Sequence, residues 1–64
     1  MCQSKVVIIE NGKLRVVMTD VTLLDIHDGK IILRNLLGRE LVLEKYQLES
    51  VDFISHKAYL RPVK

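Results

Sequence analysis

Apolar and polar residues alternate along this chain in short runs, and a turn-forming dipeptide or a glycine closes most of them. Lys5–Glu10 leads through Asn11-Gly12 into Lys13–Met18, and Val21–His27 leads through Asp28-Gly29 into Lys30–Asn35. A two-residue period is that of a strand with one face buried. Asn-Gly and Asp-Gly tolerate the positive φ angles of a type I′ turn, so the pattern predicts two β-hairpins. After Gly38, Glu40–Glu44 alternates again, with Leu41 and Leu43 on one face and two glutamates on the other. Residues 51–55 and 58–63 predict a last strand pair around His56-Lys57, with Pro62 tolerable only at an edge or an end. A helix over residues 36–48 is the rival reading, because Leu37, Leu41 and Leu48 fall near one helical face. The strand period is preferred there, and a single helical turn over 46–49 fits either reading.

The expected fold is all-β: six or seven short strands in antiparallel meanders, closed into a small barrel or packed as a two-layer sandwich. Its core is expected to hold Val6, Ile8, Leu14, Val16, Leu24, Ile26, Ile31, Leu33, Leu41, Leu43, Val51 and Phe53. The other face is not cleanly polar. Val7, Ile9, Val17, Ile32, Val42 and Ile54 occupy it, and an apolar patch of that kind marks an interface, most commonly that of a two-fold homodimer.

Composition narrows the setting. At 64 residues the chain is expected to form a single small β domain spanning residues 1–64, near the size at which one core suffices without staples, and 48% hydrophobic residues exclude disorder. The longest apolar run, residues 6–9, is far short of a membrane span, and no signal-peptide pattern opens the chain, so a cytoplasmic protein is expected. A net charge of +2, with both signs interspersed, permits nucleic acid without demanding it.

The single cysteine, Cys2, cannot close an internal disulfide. A lone cysteine is most often an inert small residue. Its place behind Met1 gives it a second reading. Removal of the methionine leaves an α-amine and a thiol on adjacent carbons, a chelate that closes a five-membered ring on a metal. Two such ends supply a planar N2S2 set suited to Ni(II) or Cu(II). With Met1 retained, the donors are instead its amine, the Cys2 amide nitrogen and the Cys2 thiolate. His27 and His56 are the other candidate soft ligands, each beside a predicted turn where a solvated histidine is commonplace, and neither forms a spaced pair of the zinc type. No nucleophile with a partnered histidine and no glycine-rich phosphate loop is present, so no enzyme is expected. Lys57, Tyr59 and Arg61 share a strand face, extended by Lys13 and Arg15 if the second strand lies alongside. Such a stripe is the basis for the alternative reading, a small-barrel RNA-binding or regulatory module, but it is ordinary surface in most small domains and an RNA partner is not expected.

The opening Met1-Cys2, the apolar first strand 5–9, the early Asn-Gly hairpin, the Thr19-Asp20-Val21 step and the closing Val51-Asp52-Phe53-Ile54 together resemble the CooT family, small nickel-binding accessory proteins of carbon monoxide dehydrogenase maturation. The resemblance runs over nearly the whole chain. It implies a homodimer that holds Ni(II) through the N-terminal cysteine of each subunit, Cys2 here, and serves carbon monoxide dehydrogenase or its other maturation factors.

Overall fold

The computed structural model describes residues 4–64. Seven strands follow in chain order: β1 Lys5–Glu10, β2 Lys13–Met18, β3 Val21–His27, β4 Lys30–Asn35, β5 Glu40–Glu44, β6 Tyr46–Asp52 and β7 Lys57–Pro62. They form a four-stranded sheet in the order β2-β1-β7-β6 and a three-stranded sheet in the order β3-β4-β5. The two are layered as a sandwich, and neither closes into a barrel. Among the described residues there is no helix, so the stretch 36–48 resolves into β5 and the start of β6.

Both hairpin turns carry positive φ at their two central residues, 55° and 73° at Asn11 and Gly12, 52° and 75° at Asp28 and Gly29, as type I′ geometry requires. Lys45, at φ 69°, is the single residue between β5 and β6 and carries the chain from the three-stranded sheet to the four-stranded one. The last strand pair differs from expectation. Strand β6 begins at Tyr46 and ends at Asp52, where the Asp52 carboxylate accepts hydrogen bonds from the amides of Ile54 (3.0 Å) and Ser55 (3.1 Å) and turns the chain. The antiparallel expectation also fails at one place. Strand β7 returns beside β1 in parallel, with Lys5, Val6, Val7 and Ile8 opposite Lys57, Ala58, Tyr59 and Leu60. This pairing joins the two ends of the chain and makes β1 a central strand.

Val6, Ile8, Ile31 and Leu33 are buried as expected, and Leu24, Leu41 and Leu43 pack against them. Leu14, Val16, Ile26, Val51 and Phe53, also expected inside, are exposed. Their places are taken by Met18, Val21 and Leu60, while Val7, expected on the outer face, is buried there. The cause is register. Glu10 pairs with Lys13 across the two-residue turn, so Ile9 faces Leu14 and Val7 faces Val16, and with Val6 and Ile8 inward these four point outward. Bulges with Val17 and Thr22 as the extra residues then shift the strands on either side of Thr19-Asp20, turning Met18 and Val21 into the core. Val7, on a central strand, is covered by its lateral neighbours Val16 and Tyr59. Phe53 lies beyond the end of β6, in the turn.

Candidate functional site

Cys2 lies outside the described residues. The described chain begins at Ser4 and is held there on both sides. The Val21 amide donates to the Ser4 carbonyl (2.9 Å), and the Lys5 amide donates to the His56 carbonyl (2.9 Å). The start of β1 is thus pinned between the β2–β3 corner and the β6–β7 turn.

The two histidines occupy opposite ends of the molecule. His56 sits at φ 58° in the β6–β7 turn, and its own carbonyl anchors Lys5. His27 closes β3, the strand whose first residue, Val21, bonds Ser4. At about 3.3 Å per residue it stands on the order of 20 Å from that end. Its Nε2 lies 3.4 Å from the Asp28 carboxylate, with both side chains in solvent. Only His56 therefore stands beside Ser4 and Lys5, where the described residues begin. Among the described residues no group of 3 or more His, Cys, Asp or Glu side chains converges to hold a metal ion.

Lys57, Tyr59 and Arg61 do share the outer face of the four-stranded sheet. Arg61 is not a free cation, because its guanidinium donates to both carboxylate oxygens of Glu49, the residue that bulges from β6. That pairing pushes the Glu49 carboxyl below its ordinary range and raises Arg61 further. Lys13 and Arg15 do not extend the stripe. Strand β1 separates β2 from β7, and the register sets Arg15 on the face opposite Val16 and Tyr59.

Sequence reading passed over a groove of about 350 Å3 between the two sheets, beside Ser4 and Lys5. Val6 and Ala58 form its floor. Leu24 of β3 and Val51 of β6 also line it, with Phe53 beside them, and its polar lining includes Lys5, Asp52, His56 and Lys57. The signal was present in Val51 and Phe53, apolar residues that the hairpin expectation placed in the core. A wider groove of about 820 Å3 opens at the opposite end, lined by Ile26, Ile31, Tyr46 and Val63 with Lys45 and Lys64 beside them.

Comparison with known proteins gives one family and one fold. The family model described as "CO dehydrogenase accessory protein CooT" matches residues 1–61. No curated protein matches the sequence. Among solved structures, the crystal structure of a putative CooT from Carboxydothermus hydrogenoformans superposes with a TM-score of 0.87 at 19% identity, covering 98% of this chain and 100% of that one.

Proposed function

The chain belongs to the CooT family of CO dehydrogenase accessory proteins, and on that premise we propose that it is a cytoplasmic nickel-binding homodimer whose Cys2 residues hold Ni(II) as cargo for the maturation of carbon monoxide dehydrogenase. The observation that carries this reading is the span of the family match. It runs from residue 1, so the single cysteine of the chain lies inside the matched region. The donor chemistry supports it. Two amine and thiolate pairs, one from each subunit, make a set that Ni(II) accepts in square-planar geometry. The fold supports it as well, because hydrogen bonds on both sides of the Ser4-Lys5 step hold the root of the Cys2 segment in place. The RNA alternative keeps Lys57 and Tyr59 on one sheet face, but the arginine of its stripe is paired with Glu49.

Titration of the untagged protein with Ni(II) tests the reading. A sulfur-to-nickel charge-transfer band with one metal per two chains is expected. A thiol titrates near about 8.5 and an α-amine near about 7.7 to 8.0, so uptake releases protons and affinity rises with pH. Cys2→Ser abolishes the band, His27→Ala and His56→Ala leave it nearly unchanged, and an N-terminal extension weakens binding by removing the free amine beside the thiol. Retention of the band and affinity in Cys2→Ser protein would mean that the metal is held elsewhere.

A further inference from the structure

We propose that Asn11 is a site of spontaneous covalent change, at which the amide nitrogen of Gly12 closes on the Asn11 side chain and water converts the residue to aspartate and isoaspartate. Neither a metal nor a partner chain takes part. Two asparagines occur in the chain, Asn11 and Asn35, and the fold treats them in opposite ways.

The reaction needs a side-chain carbonyl carbon and a following amide nitrogen that are both free to approach. At Asn35 neither is. Its Oδ1 accepts the amides of Leu37 (3.1 Å) and Arg39 (2.9 Å), and the next amide along the chain, that of Leu36, donates to the Asp20 carbonyl (2.8 Å). The Leu36 side chain also crowds the nitrogen that would attack. At Asn11 both atoms are free. The two-residue turn pairs Glu10 with Lys13 and leaves the Gly12 amide outside the ladder. Among the described residues, neither that amide nor the Asn11 carboxamide has a hydrogen-bond partner. Asn11 is exposed, and nothing lies within 4 Å of the point where Gly12 would carry a Cβ. Because glycine has the widest choice of backbone angles, the peptide plane between the two residues is able to rotate toward the side chain.

In the first step the Gly12 nitrogen loses its proton to hydroxide and bonds to Asn11 Cγ, and the side-chain nitrogen takes up a proton and leaves as ammonia. A five-membered succinimide ring results. Water then opens the ring at one of its two carbonyl carbons. Breaking the bond from nitrogen to Cγ gives aspartate, whereas breaking the bond from nitrogen to the main-chain carbonyl carbon gives isoaspartate, whose backbone runs through Cβ and Cγ. The ionisable groups around the turn are Glu10, Lys13 and Arg15. Two cations against one carboxylate do not oppose the anion that forms at the Gly12 nitrogen. Isoaspartate adds a backbone atom to a turn built on φ angles of 55° and 73°, so the pairing of Glu10 with Lys13 is lost and the hairpin frays from its tip.

The test stores the folded full chain at neutral and at alkaline pH and follows it by peptide mass mapping. Methyl transfer from S-adenosylmethionine by an isoaspartyl methyltransferase supplies a second readout. Asn11 should gain the mass of an amide-to-acid exchange at least about tenfold faster than Asn35. The conversion should quicken with pH, and the methyl label should appear at position 11. Amide chemical shifts of residues 10–14 should change in the aged protein, while those of residues 35–39 stay in place. The same mapping in urea separates the turn from the sequence. Asn11 should react in the folded chain within about tenfold of its rate in the unfolded one, because the turn holds neither reacting atom. A folded chain whose Asn11 stays intact while the unfolded chain converts overturns the proposal, since the turn then protects the residue. Equal rates at Asn11 and Asn35 in the folded chain overturn it as well. Cys2→Ser protein is expected to age like wild type, so nickel uptake and this conversion stand or fall separately.

Discussion

Asp52 shows how one side chain can end a strand and tie the fold to pH. Its carboxylate accepts the amides of Ile54 and Ser55 and a side-chain hydrogen bond from Ser55, and these together hold its pKa below the ordinary value. Glu49 is lowered as well, chiefly by its hydrogen bond to Arg61. A carboxylate with a depressed folded pKa contributes stability that is complete above its unfolded value, about 3.9 for Asp and 4.3 for Glu, and that is lost as pH falls through the folded value. Acid unfolding should therefore steepen below about pH 4. Asp52→Asn, which keeps an acceptor for the two amides but loses the charge, should flatten that slope when denaturation midpoints are compared between pH 3 and pH 7. An unchanged slope would show that the turn owes nothing to the charge. At this scale the sequence was legible in kind and not in place. His27 and His56 looked alike because each precedes a turn, and what separates them is the hydrogen bond from Lys5 to His56, a contact between the two ends of the chain.

At the scale of elements, β1 to β4 were legible to the residue because Asn-Gly, Asp-Gly and Thr-Asp turns bracket them, and β5 because its alternation follows Gly38. The interior was less so. A two-residue turn pairs even positions with odd ones, so Val6 and Ile8 inward oblige Leu14 and Val16 to point out. Met18 and Val21 enter the core only through bulges, and a bulge adds a residue without leaving a compositional mark. Leu60 became central because β7 lies between β1 and β6, which no local pattern near residue 60 announces. These assignments separate two substitutions of identical chemistry. Leu60→Ala removes a side chain with 0% exposure and should cost about 2 to 5 kcal/mol, a large share of the roughly 0.05 to 0.15 kcal/mol per residue that small domains hold in reserve. Leu14→Ala, at 67% exposure, should cost less than about 1 kcal/mol. Urea unfolding of the two variants decides the point, and equal costs would contradict the register.

For the whole molecule, parallel pairing of β1 with β7 brings the first and last strands together and leaves the outer face of the four-stranded sheet without a covering layer. That face carries Val7, Ile9, Leu14 and Val16, with Leu14 and Val16 at 67% and 52% exposure. Lys57 and Arg61 make its β7 side polar, so the apolar part is the β1–β2 half; the outer face of the three-stranded sheet is mixed. Val42 and Ile32 there share it with Asp25 and with the Arg34–Glu40 ion pair, whose Nη2 and Oε2 lie 2.6 Å apart. The proposed metal site needs two copies of Cys2 in one coordination sphere, so the copies must meet where β1 is close to the symmetry axis. Of the two sheets the four-stranded one contains β1, and its β1–β2 half carries the exposed Leu14 and Val16. Sedimentation should accordingly show a dimer at micromolar concentration. Val16→Glu, which puts a carboxylate into the centre of that contact, should weaken association by at least about a hundredfold, or roughly 3 kcal/mol. Val42→Glu, on the other sheet, should leave it unchanged. The metal gives an independent readout, because a Val16→Glu monomer should lose the stoichiometry of one nickel per two chains while keeping its fold by circular dichroism. Wild-type protein that stays monomeric at high concentration, with and without nickel, would remove the dimer and with it the shared N2S2 site, leaving each Cys2 to bind alone.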